Sequence, residues 1–188
     1  PMAKESEDAW VPKGARRLLS NRLEFLALFR PEECNLGHLW RFVNSGDEAF
    51  KAMLNEMMTC GNVCIEGAAA KIASVFDQAP KQHEAIASAA IEALQPFAPG
   101  KTLEIATRSH DFDFSRLKTE PTTVYLIVPS EKLSVASKWL ALVINHIIEV
   151  IAAKSGPLTT TFILDEFPQL PATPAIIKTL QLYAGKGL

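Results

Sequence analysis

Residues 159–170 read TTTFILDEFPQL, an apolar run that ends in two adjacent carboxylates, Asp165 and Glu166. A β-branched and apolar run without alternation predicts a strand covered on both faces, as in a parallel sheet. Ligands collect at the carboxyl ends of such strands. One acid there can hold magnesium while its neighbour orients water for nucleotide hydrolysis. This is the Walker B pattern, and a turn cap formed by Asp165 is the alternative.

The residues on the N-terminal side complete a strand–helix–strand unit. Residues 122–129, TTVYLIVP, predict a first buried strand, and Ser130 is a plausible cap for the long apolar helix that follows. The helix is predicted to end near Gly156 and Pro157. A crossover between parallel strands should be right-handed. Pro174 is placed to begin a further helix.

Residues 13–95 predict four to six helices and no strand. Apolar residues recur at helical spacing from Leu18 to Phe29, Asn35 is a plausible cap, and the stretches around residues 67–93 are rich in alanine. Pro80 and Pro96 punctuate these helices. The inward-facing stripe of the first helix is predicted to comprise Leu18, Leu19, Leu23, Leu26 and Phe29. The predicted fold is therefore mostly α, a helical bundle followed by a partial α/β segment with a parallel sheet.

Composition excludes several classes of protein. The chain has 188 residues, 48% of them hydrophobic and 21% charged, with a formal net charge of −2. This is an ordinary globular composition without a global basic field for nucleic acid. Three cysteines do not suggest a disulfide framework and favour a reducing compartment. The longest apolar stretch is interrupted by Asn145, His146 and Glu149, so we expect no membrane span. No signal peptide opens the chain, and we expect it to be a piece of a longer protein.

The usual partner of Walker B is a glycine-rich loop, G-x-x-x-x-G-K-[ST], whose backbone amides cradle phosphate. The sequence YAGKGL at 183–188 is no substitute, because Gly187 follows Lys186 where a magnesium-binding hydroxyl is needed. No glycine lies five residues before Gly185 either.

Several stretches together resemble the type IV secretion coupling proteins, the TraG-like ATPases of conjugative transfer. The resemblance is carried by TVYL at 123–126, Pro129, KWL at 138–140 and LDEF at 164–167, with SHDFDFSRL at 109–117 leading in. It is specific over about 109–188, looser in WVPKGARRLL at 10–19, and compositional between.

The resemblance implies an all-alpha domain at about 10–105 and part of a RecA-like nucleotide-binding domain at 106–188. In the full-length homo-hexamer, Asp165 would position magnesium and Glu166 would activate water, with ATP and Mg as cofactors. The helical domain would recruit relaxosome or effector cargo protein, and DNA is a further potential partner. Membrane segments outside this chain would place the full-length protein on the cytoplasmic side of the bacterial inner membrane, while the fragment itself would be soluble.

Two other readings remain open. The chain could be a non-enzymatic helical adaptor or scaffold in which the Asp-Glu pair is incidental. It could also belong to another hexameric, DNA-pumping translocase. Transmembrane helices followed by a phosphate-cradling loop upstream would exclude the adaptor.

Cysteine and histidine spacing raises the question of zinc. Cys34 and His38 are four residues apart, as are Cys60 and Cys64, and three cysteines with one histidine form a legitimate zinc set. Isolated cysteines, however, are often small buried hydrophobes.

Two further groups of residues allow both a functional and a simpler structural explanation. A basic cluster on the first helix (Lys13, Arg16, Arg17 and Arg22) could contact DNA or an acidic cargo, although a solvated face is the simpler explanation. His110, Asp111 and Asp113 could ligate metal, but a turn with side-chain caps explains them better.

We predict that this chain alone neither binds nucleotide tightly nor hydrolyses ATP, because it has no phosphate-cradling loop. Isothermal titration with Mg-ATP tests this, and micromolar binding would reveal an unrecognised phosphate site.

Overall fold

The computed structural model describes residues 10–109, 111–165, 176–177 and 181–182. The chain divides into two compact units, Pro1–Ser109 and His110–Leu188. The described residues form seven α-helices: α1 (Trp10–Phe29), α2 (Leu36–Val43), α3 (Asp47–Met58), α4 (Val63–Gln78), α5 (Pro80–Leu94), α6 (Thr102–Ala106) and α7 (Leu133–Ala153). The mostly α prediction is thus confirmed, with α1 to α5 in the predicted helical region.

The predicted strands are not found. Residues 122–129 and 158–165 form neither helix nor ladder, and no strand occurs in the described part of the chain. A strand exists only through ladder hydrogen bonds to a neighbour, and none of the described segments supplies that neighbour. The partial α/β RecA-like segment is therefore not shown by the structure.

The first unit is built on α1. This helix packs against α5, α4 and α2, while α3 pairs with α4. The core is aromatic as well as aliphatic, and its most buried large side chains are Phe25, Leu26, Phe42, Leu54, Met57 and Ile65. Burying side chains of this kind contributes about 1.5–3 kcal/mol each, so these helices are held mainly by tertiary packing.

Two asparagines fix helix starts in the first unit. The Asn35 side chain accepts a hydrogen bond from the backbone N–H of His38 at 2.9 Å, which confirms the predicted cap of α2. Asn62 accepts in the same way from Cys64 and Ile65 and caps α4. The cap predicted at Ser130 is wrong. Ser130 begins a 3₁₀ turn, and α7 starts at Leu133 without a side-chain cap.

Arg22 lies in the core, although the sequence placed it in the exposed basic cluster. Its side chain is 6% exposed. The guanidinium carbon lies 5.0 Å from the ring centroid of Phe25 and 5.3 Å from that of Phe42. The buried stripe of α1 is Ala15, Leu18, Arg22, Phe25 and Leu26. The predicted stripe was therefore rotated, and Leu23 and Phe29 are exposed.

The buried guanidinium shares one carboxylate with an exposed arginine. Nη1 of Arg22 lies 3.8 Å from Glu56 of α3, which also binds Arg30 at 2.6 Å. Burial lowers the pKa of Arg22, and the charge of Glu56 opposes that shift. Glu56 of α3 thus contacts both Arg22 of α1 and Arg30, which directly follows α1.

A second buried charge, Glu104, fastens α6. Glu104 is 1% exposed, and its carboxylate accepts two hydrogen bonds from Arg108 at 2.8 Å. The hydrogen bonds from Arg108 lower the pKa of Glu104, and the backbone N–H of Gly100 adds to this effect. Gly37 of α2 leaves room for this side chain, because a β-carbon there would lie 3.0 Å from Cγ of Glu104.

The second unit is organised around α7. One group of its buried residues, Ala141, Ile144 and Ile148, packs with Ile176, Phe162 and Leu164. Another, Ile147 and Ile151, packs with Leu117, Phe112 and Phe114. Other parts of the unit pack against more than one side of α7, which explains why its apolar residues are not confined to a single stripe.

By length and composition, the helical stretch Ser130–Ala153 would be able to cross a membrane, and it is the one such stretch among the described residues. The sequence expectation of no span rested on three interrupting polar residues, and these do not prevent the stretch from meeting this criterion. The core helix of a soluble protein meets it equally well. Seven residues of α7 are buried.

We predict that Glu56→Gln destabilises the first unit by about 1–3 kcal/mol, because it leaves the Arg22 charge buried without its counter-charge. Arg22→Met should instead be neutral or stabilising, since an apolar side chain then fills the same space. The free energy of unfolding of each variant is measured by urea denaturation, and the local stability of α1 and α3 by amide hydrogen exchange.

The exposed Glu24 of α1 supplies the matched control, and Glu24→Gln should change stability by less than about 0.5 kcal/mol. Equal, small effects of Glu56→Gln and Glu24→Gln would show that Glu56 does not compensate Arg22.

Candidate functional site

The segment that carries the predicted Walker B acids lies against α7 with a regular alternation. Residues 158, 160, 162 and 164 are half-buried, whereas 159, 161, 163 and 165 are exposed. Phe162 and Leu164 pack on the α7 core, and Ile163 is 89% exposed on the opposite side. The alternation is that of a strand with one covered face. The sequence predicted two covered faces, and the structure covers one.

Close packing at the end of α7 sets where this segment begins. A β-carbon at Gly156 would overlap the backbone carbonyl oxygen of Lys118 and would lie 2.7 Å from the Lys118 β-carbon. Only glycine allows this approach, because the backbone of Lys118 cannot move aside as the end of a flexible side chain can. Gly156 therefore brings residues 156–158 directly onto the turn at Phe114–Lys118.

Two hydrogen bonds follow from that contact. The backbone N–H of Leu158 donates to the Lys118 carbonyl, and Nζ of Lys118 donates to the Leu158 carbonyl, both at 3.3 Å. Lys118 is 2% exposed, so its ammonium is held within the unit. Lys154 adds a bond from Nζ to the Ser115 hydroxyl at 2.9 Å. The turn itself is capped by Asp113, which accepts from the Ser115 backbone N–H at 2.9 Å.

Asp165 lies in an exposed turn directly after Leu164, the last residue of the segment that packs on α7. Its position is set by the contacts of Phe162 and Leu164. Glu166, predicted to activate water, lies outside the described residues, as do the predicted helix start at Pro174 and His110. The structure therefore positions one of the two predicted site residues.

The four residues considered for zinc do not form a metal-binding group in the structure. Cys34 and Cys60 are half-buried and Cys64 is exposed, all three as free thiols. No group of three or more metal-ligating side chains occurs among the described residues. Burial raises the pKa of the Cys34 thiol, which disfavours the thiolate that zinc requires.

The basic cluster predicted on α1 is smaller than expected. Lys13, Arg16 and Arg17 are exposed, but Arg22 belongs to the core. The Arg22 guanidinium is therefore not presented at the surface for DNA or cargo.

The first unit contains a cavity of about 450 Å³ that the sequence did not predict. Its apolar lining includes Phe50 and Phe76, and His83 stands beside them. Its polar lining includes Asp47, Asp77 and Glu84. These residues come from three helices and share no local spacing, so no pattern in the sequence indicates the cavity.

The residues that carry the sequence resemblance lie on these elements, with KWL at 138–140 on α7 and Leu164 and Asp165 at the end of the segment. A family model described as type IV secretory system conjugative DNA transfer matches residues 2–188. The chain belongs to this family. Searches of the curated proteins and of the solved structures gave no significant match.

We predict that Gly156→Ala displaces the segment that carries Asp165, because the added methyl group collides with the Lys118 backbone. The Leu158 amide should lose its protection from hydrogen exchange, and Phe162 and Leu164 should loosen on α7. Residue-resolved exchange by NMR is the measurement.

Gly67→Ala in α4 is the control, since a β-carbon there meets nothing within 4 Å. Alanine in a helix interior should raise stability by about 0.5–1 kcal/mol. Unchanged protection of Leu158 in Gly156→Ala would show that the close approach does not position the segment.

Proposed function

We propose that this chain is part of a coupling ATPase that hands cargo to a type IV secretion channel. Membership of the conjugative DNA transfer family supports a role in type IV secretion. The proposed role of the site is supported by one observation. Residues 158–165 alternate between half-buried and exposed along α7, and they end on the exposed Asp165. In this proposal the segment is a strand of a RecA-like domain. Neighbouring strands pair with its two edges, and its open face receives a neighbouring helix.

The exposed residues agree with such a neighbour. Ile163 of this segment, and Tyr125 and Ile127 of the earlier segment, are 89%, 79% and 84% exposed. Large apolar side chains that are this exposed are expected where another element covers them. In the proposed domain, the remaining strands and helices of the intact protein supply that cover.

The donor chemistry of Asp165 suits magnesium. Mg²⁺ prefers oxygen ligands and is commonly held by one or two carboxylates, water and substrate phosphates. When bound, Mg-ATP would supply the phosphoryl group that is transferred to water. Asp165 would hold the hydrated metal, and Glu166 would orient the attacking water. The phosphate cradle must come from elsewhere in the intact protein, because this sequence contains no such loop.

The helical unit would recruit the cargo. It forms a compact unit of its own and presents both an exposed basic stretch on α1 and the acidic cavity described above. We propose relaxosome or effector protein as its partner, with DNA as a further potential partner of the assembly. The active form would be a homo-hexamer attached to the cytoplasmic side of the bacterial inner membrane.

In the intact protein, we predict that Glu166→Gln retains nucleotide binding but abolishes turnover, because the substitution keeps the shape of the side chain and removes the charge. Asp165→Asn should weaken Mg-ATP binding as well. Asp165→Asn should not unfold the protein, since Asp165 is exposed, and we expect the same of Glu166→Gln. Nucleotide affinity, ATP hydrolysis and cargo transfer are measured for each.

Glu149→Gln, an exposed carboxylate on α7, is the matched control and should leave all three measurements unchanged. Normal hydrolysis and transfer by Glu166→Gln would reduce the Asp-Glu pair to a turn cap and favour the adaptor reading.

A further inference from the structure

His83 of α5 forms part of the cavity wall in the first unit and packs against two phenylalanine rings. Its ring centroid lies 5.1 Å from that of Phe50 of α3 and 4.9 Å from that of Phe76 of α4. Phe50 and Phe76 are 5.3 Å apart, and Phe42 of α2 stacks on Phe50 at 5.0 Å. The imidazole therefore joins α5 to α3 and α4 through aromatic contacts.

The imidazole is a polar group in a largely apolar setting. Its Nε2 atom is buried and has no hydrogen-bond partner in the described part of the chain. A buried polar atom without a partner costs free energy, and a buried charge without one costs more. Burial accordingly lowers the pKa of His83, and the charge of Asp47 opposes that shift. The neutral ring is therefore favoured where His83 now lies.

Two further features disfavour a positive charge at this position. His83 is the fourth residue of α5 and lies near the positive end of the helix dipole. Nζ of Lys51 lies 5.5 Å from the centroid of the Phe76 ring, so an imidazolium would be a second cation against the same ring. Lys51 lines a smaller cavity of about 160 Å³, which shares Phe76 and Asp77 with the first.

The larger cavity offers a protonated His83 a more favourable position. Its charged lining consists of carboxylates from three helices, Asp47 of α3, Asp77 of α4 and Glu84 of α5, while α2 contributes the apolar Val43. All three carboxylates are exposed, so an imidazolium among them would regain water as well as opposite charge. The volume of about 450 Å³ leaves room for the ring to turn toward them.

We propose that His83 is a pH-sensitive switch in the first unit. As a neutral ring it stays packed on Phe50 and Phe76, and as an imidazolium it turns into the cavity toward the three carboxylates. Protonation removes the aromatic contact between α5 and the other two helices, so α3, α4 and α5 loosen. The switch requires neither nucleotide nor cargo and is independent of the proposed function.

The direction of the pH dependence follows from the two states of the ring. In the unfolded chain His83 has its ordinary pKa of about 6.5, and in the folded unit burial lowers that pKa. The stability that the neutral ring contributes is complete above the higher pKa and is lost as the pH falls through the lower one. Acidification therefore loosens the contact between the helices, and a return to neutral pH restores it.

The test follows the 188-residue chain by NMR from about pH 8 to about pH 5. The ring resonances of His83 should titrate with a pKa below the ordinary value. Their nuclear Overhauser contacts with Phe50 and Phe76 should weaken as the ring becomes charged. Hydrogen exchange of the Phe50 and Phe76 backbone amides, corrected for the intrinsic effect of pH, should become faster by up to about tenfold near pH 5.5.

Three variants separate the switch from the general effect of acid. His83→Phe keeps a ring in the wall and cannot be protonated, so acid should no longer accelerate exchange of the Phe50 and Phe76 amides. Asp47→Asn removes the charge that opposes the effect of burial, so the pKa of His83 should fall further. His38→Gln is the matched control. It removes another half-buried histidine of the same unit and should leave the acid-dependent exchange of these amides unchanged.

A pKa of His83 at or above the ordinary value would overturn the proposal, as would ring contacts with Phe50 and Phe76 that persist after protonation. Acid-dependent exchange retained in full by His83→Phe would overturn it too. The pKa and the ring contacts are measured on the unsubstituted chain, so the test does not depend on how well a variant folds. None of these measurements involves ATP hydrolysis, so failure of the switch and failure of the proposed function can be told apart.

Discussion

The close approach of Gly156 to the Lys118 backbone is the constraint on which the candidate nucleotide site depends. Because no ladder holds residues 158–165 in the described structure, their position is set at one end by this contact and along their length by α7. Phe162 and Leu164 turn inward, so Asp165 turns outward. A site residue on a segment with one covered face is thus oriented by packing and by a glycine, rather than by a sheet.

Much of this arrangement could be predicted from the sequence. Helical periodicity and alanine content identified the helical region, and the cap at Asn35 was predicted to the residue. The sequence predicts a buried strand over this stretch, and the structure forms no strand there, although residues 158–165 alternate between half-buried and exposed. The number of covered faces could not be predicted, because it depends on elements other than the segment itself. The same run of apolar residues fits either case.

The errors on α1 have one cause. The spacing of apolar residues predicts a stripe from Leu18 to Phe29 that leaves Arg22 on the solvent side of the helix. The structure places Arg22 between Phe25 and Phe42, where the aromatic rings and Glu56 compensate the charge. Phe25 lies on α1 itself, but Phe42 and Glu56 come from α2 and α3 and cannot be identified from the sequence of α1. Whether a charged side chain is buried therefore depends on tertiary contacts, and it cannot be predicted from the local sequence pattern of one helix.

The acidic cavity could not be predicted from the sequence for a similar reason. Asp47, Asp77 and Glu84 lie near the starts or ends of three helices, positions where acids are often explained by capping or by the helix dipole. At the start of α3 that explanation serves for Asp47, but it fails at the end of α4, where the dipole disfavours Asp77. Asp77 also adjoins both cavities. Asp77 is placed beside residues of α3 and α5 by tertiary packing, which the sequence of α4 alone does not show.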